Sequence, residues 1–103
     1  MNSRETSSDD VVRERAAGCL RVLAHPVRLR LVELLLQGEH TVGELADVCG
    51  AAPNVISEHL SLMRDRDLLT FERRGRCKFY RVEQPLLADL VRCIERRFGN
   101  GGG

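Results

Sequence analysis

Residues 41–64, TVGELADVCGAAPNVISEHLSLMR, hold two short amphipathic helical patterns across a small-residue turn, and they restrict the fold more than any other stretch. Thr41 and Glu44 have the T-x-x-E spacing of a capping box. In that device the Thr41 hydroxyl accepts from the Glu44 amide, and the Glu44 carboxylate accepts from the Thr41 amide. Val42, Leu45 and Cys49 follow at i, i+3 and i+7 on one face. Gly50 supplies the left-handed residue that ends such a helix. Pro53 then stands at the first position of the next helix, where its missing N–H costs nothing. There Ile56, Leu60 and Met63 form an apolar stripe, while Ser57, Ser61 and Arg64, with Asn54 one turn earlier, form a thin polar face. This is the pattern of a helix-turn-helix, and its second helix is slim enough at Ser57 and Ser61 to approach the floor of a DNA major groove.

The flanks extend the pattern. Residues 1–8 read as a disordered lead, and Ser8 is placed to cap a first helix with Asp9 and Asp10 in its first turn. Val12, Ala16, Cys19 and Leu23 make a seam suited to packing on another helix. The break at Ala24-His25-Pro26 follows from the restriction on a residue before proline, with His25 shaping the turn. A second helix from Pro26 to Gln37 should bury Val27, Leu31, Leu34 and Leu35, and end at Gly38. His40 falls in the exposed loop that follows. Residues 68–73 and 77–82 read as two strands joined around Gly75, with Leu69 and Phe71 sharing one face of the first, Tyr80 and Val82 one face of the second, and Cys77 and Phe79 the other face of the second. Helical spacing returns over 84–98 through Leu87, Leu90, Val91, Ile94 and Phe98, and residues 99–103 read as a flexible tail. The order is α-α-α-α-β-β-α: one winged helix-turn-helix domain over residues 9–98, mainly α with a β-hairpin wing. Its first and last helices carry more apolar surface than so small a body hides, so a two-fold homodimer is expected.

Charge supports the same partner. The net charge of +1 is uninformative, but residues 64–81 hold Arg64, Arg66, Arg73, Arg74, Arg76, Lys78 and Arg81 against Asp65, Asp67 and Glu72. A local excess of four positive charges beside a helix-turn-helix suits a phosphate-facing surface. No apolar run approaches the roughly 18 residues of a membrane span, and the polar N-terminus has no secretory core, so no membrane partner and a cytoplasmic location are expected. The four cysteines are then thiols. None has C-x-x-C spacing, and no nucleophile–base pattern or phosphate-binding glycine loop points to an enzyme.

The segments LAHPVRLRLVELLLQGEHTVGELADVCG, NVISEHLSLMRDRDLL and RRGRCKFYRV together resemble the ArsR/SmtB family of dimeric winged-helix repressors over residues 20–98. The resemblance implies a symmetric dimer held by the terminal helices, binding to a double-stranded operator, and release by a metal or a thiol-reactive inducer. It places Ser57 and Glu58 at bases, His59 near the backbone, and Arg74 and Arg76 at the wing tip. Asn54, Ser61, Arg64 and Lys78 complete the candidate DNA-binding set. Glu58 stands where the family commonly has Gln, which exchanges a donor for an acceptor and favours cytosine N4. Asp67 replaces a glycine, and Asp tolerates a left-handed backbone better than most residues. Ala52 stands where Ser or Thr normally caps the recognition helix, a loss of about 1 kcal/mol.

The family's sensing motifs do not carry over. Its E-L-C-x-C motif aligns with Glu44-Leu45-Ala46-Asp47-Val48, and Asp89 has no histidine downstream. The persulfide-sensing pair would fall at Glu33 and about Gly99. Cys19 and Cys93 lie on the two helices expected to meet at the dimer interface; they either fill apolar gaps or act as paired thiolates for a soft metal ion or a thiol-reactive inducer. Cys49 completes a core face, and Cys77, in a basic hairpin, is the thiol most open to reaction. His59 is either a phosphate contact or a buried hydrogen-bonding group. The alternative to a DNA-binding repressor is a winged helix that binds an acidic protein through its basic hairpin. The small outer face at Asn54, Ser57 and Ser61 argues for DNA, because protein interfaces favour aromatic anchors.

Overall fold

Local signals in the sequence set most of the helix ends. In this computed structural model, which describes residues 3–99 and side chains from Ser8 onward, α1 spans Ser3–Leu23 and α2 spans Pro26–Gln37. His25 caps α2, its ring Nδ1 accepting from the Val27 amide at 3.1 Å. Helix α3 (Val42–Cys49) opens on the complete capping box, with Glu44 N donating to Thr41 Oγ1 at 3.2 Å and Thr41 N donating to Glu44 Oε1 at 2.9 Å. It closes at Gly50, whose φ of 63° and ψ of 37° are left-handed. Helix α4 (Pro53–Asp65) begins at Ala52 with no side-chain cap, as its sequence implies. Asp67 then takes a φ of 61°, the conformation expected of the residue standing in for glycine.

The wing is β2 (Leu69–Arg74) paired antiparallel with β3 (Cys77–Val82), and α5 spans Leu86–Phe98. A two-residue strand, β1 (His40–Thr41), pairs with the other edge of β3, giving the order β1-β3-β2. The expected loop at His40 is therefore a strand, too short to show alternation, and the His40 ring is held by the Gly38 carbonyl at 2.8 Å. That pairing fixes the wing to the start of α3. Helix α1 also departs from expectation. It takes in residues 3–8, assigned above to a disordered lead, and Ser8 lies inside it rather than capping it. Nothing between Ser3 and Ser8 is Gly or Pro, and the other residue types cost only tenths of a kcal/mol each in a helix. Residues 1–2 of that lead and 100–103 of the expected tail lie outside the described residues.

The core lies where α2, α3, α4 and the sheet meet. Leu31, Leu45, Ile56, Leu60, Met63 and Leu87 are fully buried, with Leu68, Leu69 and Tyr80 closing the sheet side. On α2 the buried stripe is centred on Leu31, Val32 and Leu35, which turns Val27 and Leu34 to its half-buried rim. Helix α1 reaches this core at its C-terminal end, where Leu23 is buried and Cys19 and Val22 pack against it. Gly18 is buried on α1 beneath the Arg66 side chain, whose guanidinium would lie 2.4 Å from a Cβ there. Val12, Leu20, Leu86 and Phe98 remain 57–76% exposed. The radius of gyration is 15.8 Å, against about 13 Å for a compact chain of this length. No helix of the described residues is long and apolar enough to cross a membrane.

Candidate nucleic-acid interface

The outer face of α4 is built by the same spacing that buries Ile56, Leu60 and Met63. Asn54, Glu58, Ser61 and Arg64 are exposed and Ser57 is half-buried. Ser57, Glu58, Ser61 and Leu62 line one shallow hollow. Two apolar residues join this face, Val55 at 40% and Leu62 at 42% exposure. A methyl-bearing side chain between small polar ones is what contact with a thymine methyl needs. The sequence pattern assigns neither Val55 nor Leu62 to this face.

Strand pairing sorts the wing's charges. Arg73 lies opposite Lys78, and Phe71 opposite Tyr80, so these four share the face that turns toward α4. Arg64 and Lys78 flank the Phe71 ring at 5.1 and 4.7 Å from its centroid. The other face carries Glu72, Arg74, Phe79 and Arg81. There Arg74 donates to both oxygens of Glu39 at 2.6 and 3.0 Å, donates to Glu72 at 2.8 Å, and lies over Phe79. Arg81 approaches Glu72 at 3.6 Å. The hydrogen bond and charge of Arg74 hold the Glu72 carboxyl below its usual range, while Glu39 and Glu72 hold the Arg74 guanidinium firmly protonated. Arg74 is thus spoken for within the chain, unlike the open wing-tip cation that the resemblance implies. Among the described residues Arg64, Arg73, Arg76 and Lys78 form no ion pair.

A cleft of about 410 Å³ joins these parts. Thr41, Val42 and Gly43 supply the first turn of α3, Ser57 comes from α4, and Arg73, Arg76, Cys77 and Lys78 come from the wing. The capping box takes up the Thr41 and Glu44 amides, which leaves those of Val42 and Gly43 without an intrahelical acceptor at the positive end of the helix dipole. Combined with three cations and a hydroxyl, they make an environment for a phosphate. Sequence reasoning counts Arg73 in the basic cluster without singling it out, and misses the α3 amides; the strand alternation that puts Arg73 beside Lys78 is the signal that could have singled it out.

His59 uses its Nδ1 to accept from Arg28 Nε at 3.0 Å, and its ring centroid lies 4.8 Å from that of His25. Burial, then Arg28 and His25, push its pKa below the ordinary 6.5, with Glu58 opposing. The hydrogen-bonding role is the one its geometry displays.

The candidate sensor thiols are scattered. Cys19 is half-buried in an apolar groove between α1 and α5, with Leu20, Leu23, Leu68, Leu87 and Leu90 around it. Cys93 is exposed on α5 and does not line that groove, so one chain does not by itself bring the pair together. Cys49 is half-buried against the core, as expected of a space-filling thiol, and Cys77 is exposed at the cleft between α3 and the wing. Among the described residues no cluster of three or more His, Cys, Asp or Glu side chains is arranged to hold a metal ion.

A family described as a helix-turn-helix domain matches residues 23–70. The biofilm growth-associated repressor of Xylella fastidiosa is 36% identical over 78 residues, covering 76% of this chain and 68% of the relative. The HTH-type transcriptional repressor SmtB of Mycobacterium tuberculosis is 35% identical over 78 residues, covering 76% of this chain and 58% of that protein. The crystal structure of the transcriptional repressor BigR from Xylella fastidiosa superposes with a TM-score of 0.77 at 32% identity, covering 94% of this chain and 97% of that one.

Proposed function

The chain belongs to the ArsR/SmtB family of winged helix-turn-helix transcriptional repressors, and we propose that it grips its operator as a two-fold dimer, α4 in the major groove and the wing on flanking phosphate. Its role is regulatory, not catalytic, and it acts on DNA in the cytoplasm. The observation that carries this reading is the segregation of charge on the hairpin. Arg74 and Arg81 are matched by Glu39 and Glu72 on one face, while Arg73, Arg76 and Lys78 gather around the cleft at Ser57. The local positive excess is thereby delivered to the side on which α4 presents its slim outer face. Ser57, Glu58, Ser61 and Asn54 read base edges, with Val55 and Leu62 contributing apolar contacts. Arg64, Arg73, Arg76, Lys78 and the α3 amides hold phosphates.

The dimer is supported by the exposed Val12, Leu20, Leu86 and Phe98 on the terminal helices and by the extended shape of the single chain. A soft metal ion or thiol-reactive inducer acting at Cys19, with Cys93 reached across the interface, is the proposed route of release; the support is the position of Cys19 in the groove between the two terminal helices.

The experiment is selection of duplexes from a random library, followed by binding measurements at two salt concentrations. An imperfect palindrome is expected, with half-sites about 34 Å apart, and affinity should fall by about 0.9 log units per log unit of salt for each phosphate held. Failure to enrich any sequence, with no affinity for duplex DNA, would overturn the reading.

A further inference from the structure

Arg28 touches three helices at once. Its own backbone is in α2, its NH1 donates to the Val22 carbonyl at the end of α1 at 3.0 Å, and its Nε donates to His59 of α4 at 3.0 Å. A single guanidinium fork therefore ties the end of a terminal helix to the recognition helix. The geometry demands one protonation state. A ring nitrogen that accepts from Arg28 carries no proton, so a neutral His59 must hold its hydrogen on Nε2. Adding a proton to Nδ1 turns the acceptor into a donor and sets two cations against each other.

We propose that Arg28 is a positioning residue for DNA binding, and that protonation of His59 opens this latch and loosens the grip of α4 on the operator. The inference rests on the operator-binding reading above. The surroundings of His59 favour the uncharged ring. From α2 it faces Arg28 and His25, from α4 it neighbours Glu58, and from α1 the nearby group in the latch is the uncharged Val22 carbonyl. The Nδ1 of His25 is itself committed as an acceptor to the Val27 amide. Glu58 alone opposes. Because the folded pKa of His59 lies below 6.5, the neutral ring's contribution to stability is complete above that value. It is lost as pH falls from 6.5 toward the depressed folded value.

The test combines nitrogen NMR of the imidazoles in the full chain with binding to the selected operator duplex at constant ionic strength. His59 should appear as the Nε2–H tautomer and titrate below 6.5, with shifts in the amides at the end of α1 that follow the same curve. Operator affinity of the wild type should fall about fivefold or more between about pH 7.5 and about pH 5. His59→Asn keeps an acceptor near the Nδ1 position and cannot take up a proton there, so its affinity ratio between the two pH values should be close to that of Arg28→Ala and much flatter than the wild type. An Nδ1–H tautomer, or an unchanged pH ratio in His59→Asn, overturns the latch even if Arg28→Ala fails to fold. If no duplex binds at all, the operator reading fails, and the tautomer and the coupled shifts of α1 still decide whether the latch exists.

Discussion

The helix-turn-helix and the terminal helices solve the problem of burial in opposite ways. In α3 and α4 the apolar positions of the inner face are used within the chain: Leu45, Ile56, Leu60 and Met63 are all fully buried. In α1 and α5 only the parts nearest the core, Leu23, Leu87 and Val91, are buried, while Val12, Leu20, Leu86 and Phe98 stay in water. One region is finished by one chain and the other is not. The difference teaches where each function resides. A recognition helix must be rigid before it meets DNA, because misplacement would spoil its base contacts. In the proposed dimer the distance between two recognition helices is set by contacts between chains, and that is where the proposed inducer acts.

The largest effect expected from this comparison is loss of folding in the finished region. Leu60→Ala should destabilise the chain by about 2–5 kcal/mol, read by denaturant unfolding. A cost near that of an exposed position would show that α4 is not part of the core. Next comes the unfinished region. Leu20→Asp with Leu86→Asp changes two residues that are 57% and 67% exposed, so the single chain should keep its helical signal while sedimentation shows monomers. Operator affinity should drop on the order of 10²-fold as the second half-site is lost. Val91 is a poorer choice for such a test, since at 7% exposure an acidic substitution would damage the chain's own core.

Smaller effects separate the two faces of the wing. Arg73→Ala and Arg76→Ala should each flatten the salt dependence of DNA binding by about 0.9 units for every phosphate no longer held, whereas Arg74→Ala should leave the slope unchanged because its charge is already matched by Glu39 and Glu72. Equal slopes for all three variants would mean that the sorting of charge has no bearing on DNA. The smallest effect in resting protein is expected at the thiols. A Cys19→Ser/Cys93→Ser double variant should bind the operator normally and resist release by oxidant or a thiophilic metal. Release equal to that of the wild type would leave Cys19 as packing only and turn attention to Cys77 and Cys49.

Much of this architecture is local and therefore legible. Thr41, Glu44, Gly50 and Pro53 act within four residues of their partners, so the capping box, the left-handed stop and the start of α4 could be read from spacing alone. The same holds for the hairpin at Gly75 and for the tolerance of Asp67 for a positive φ. Strand β1 escaped because two residues show no period, and its pairing with β3 is long-range.

What the amino-acid order determined by itself, then, was the winged helix-turn-helix, the slim outer face of α4 and the excess of cations beside it. Only the tertiary structure decided which of those cations are available. Arg74 and Arg73 are neighbours in the chain, yet Arg74 meets Glu39, 35 residues away, while Arg73 turns to the cleft at Ser57. Likewise Arg28 and His59 meet across 31 residues. A side chain's charge is set by its residue type, but whether that charge is paired depends on groups brought within a few ångströms by packing, and periodicity along the chain contains no measure of that distance.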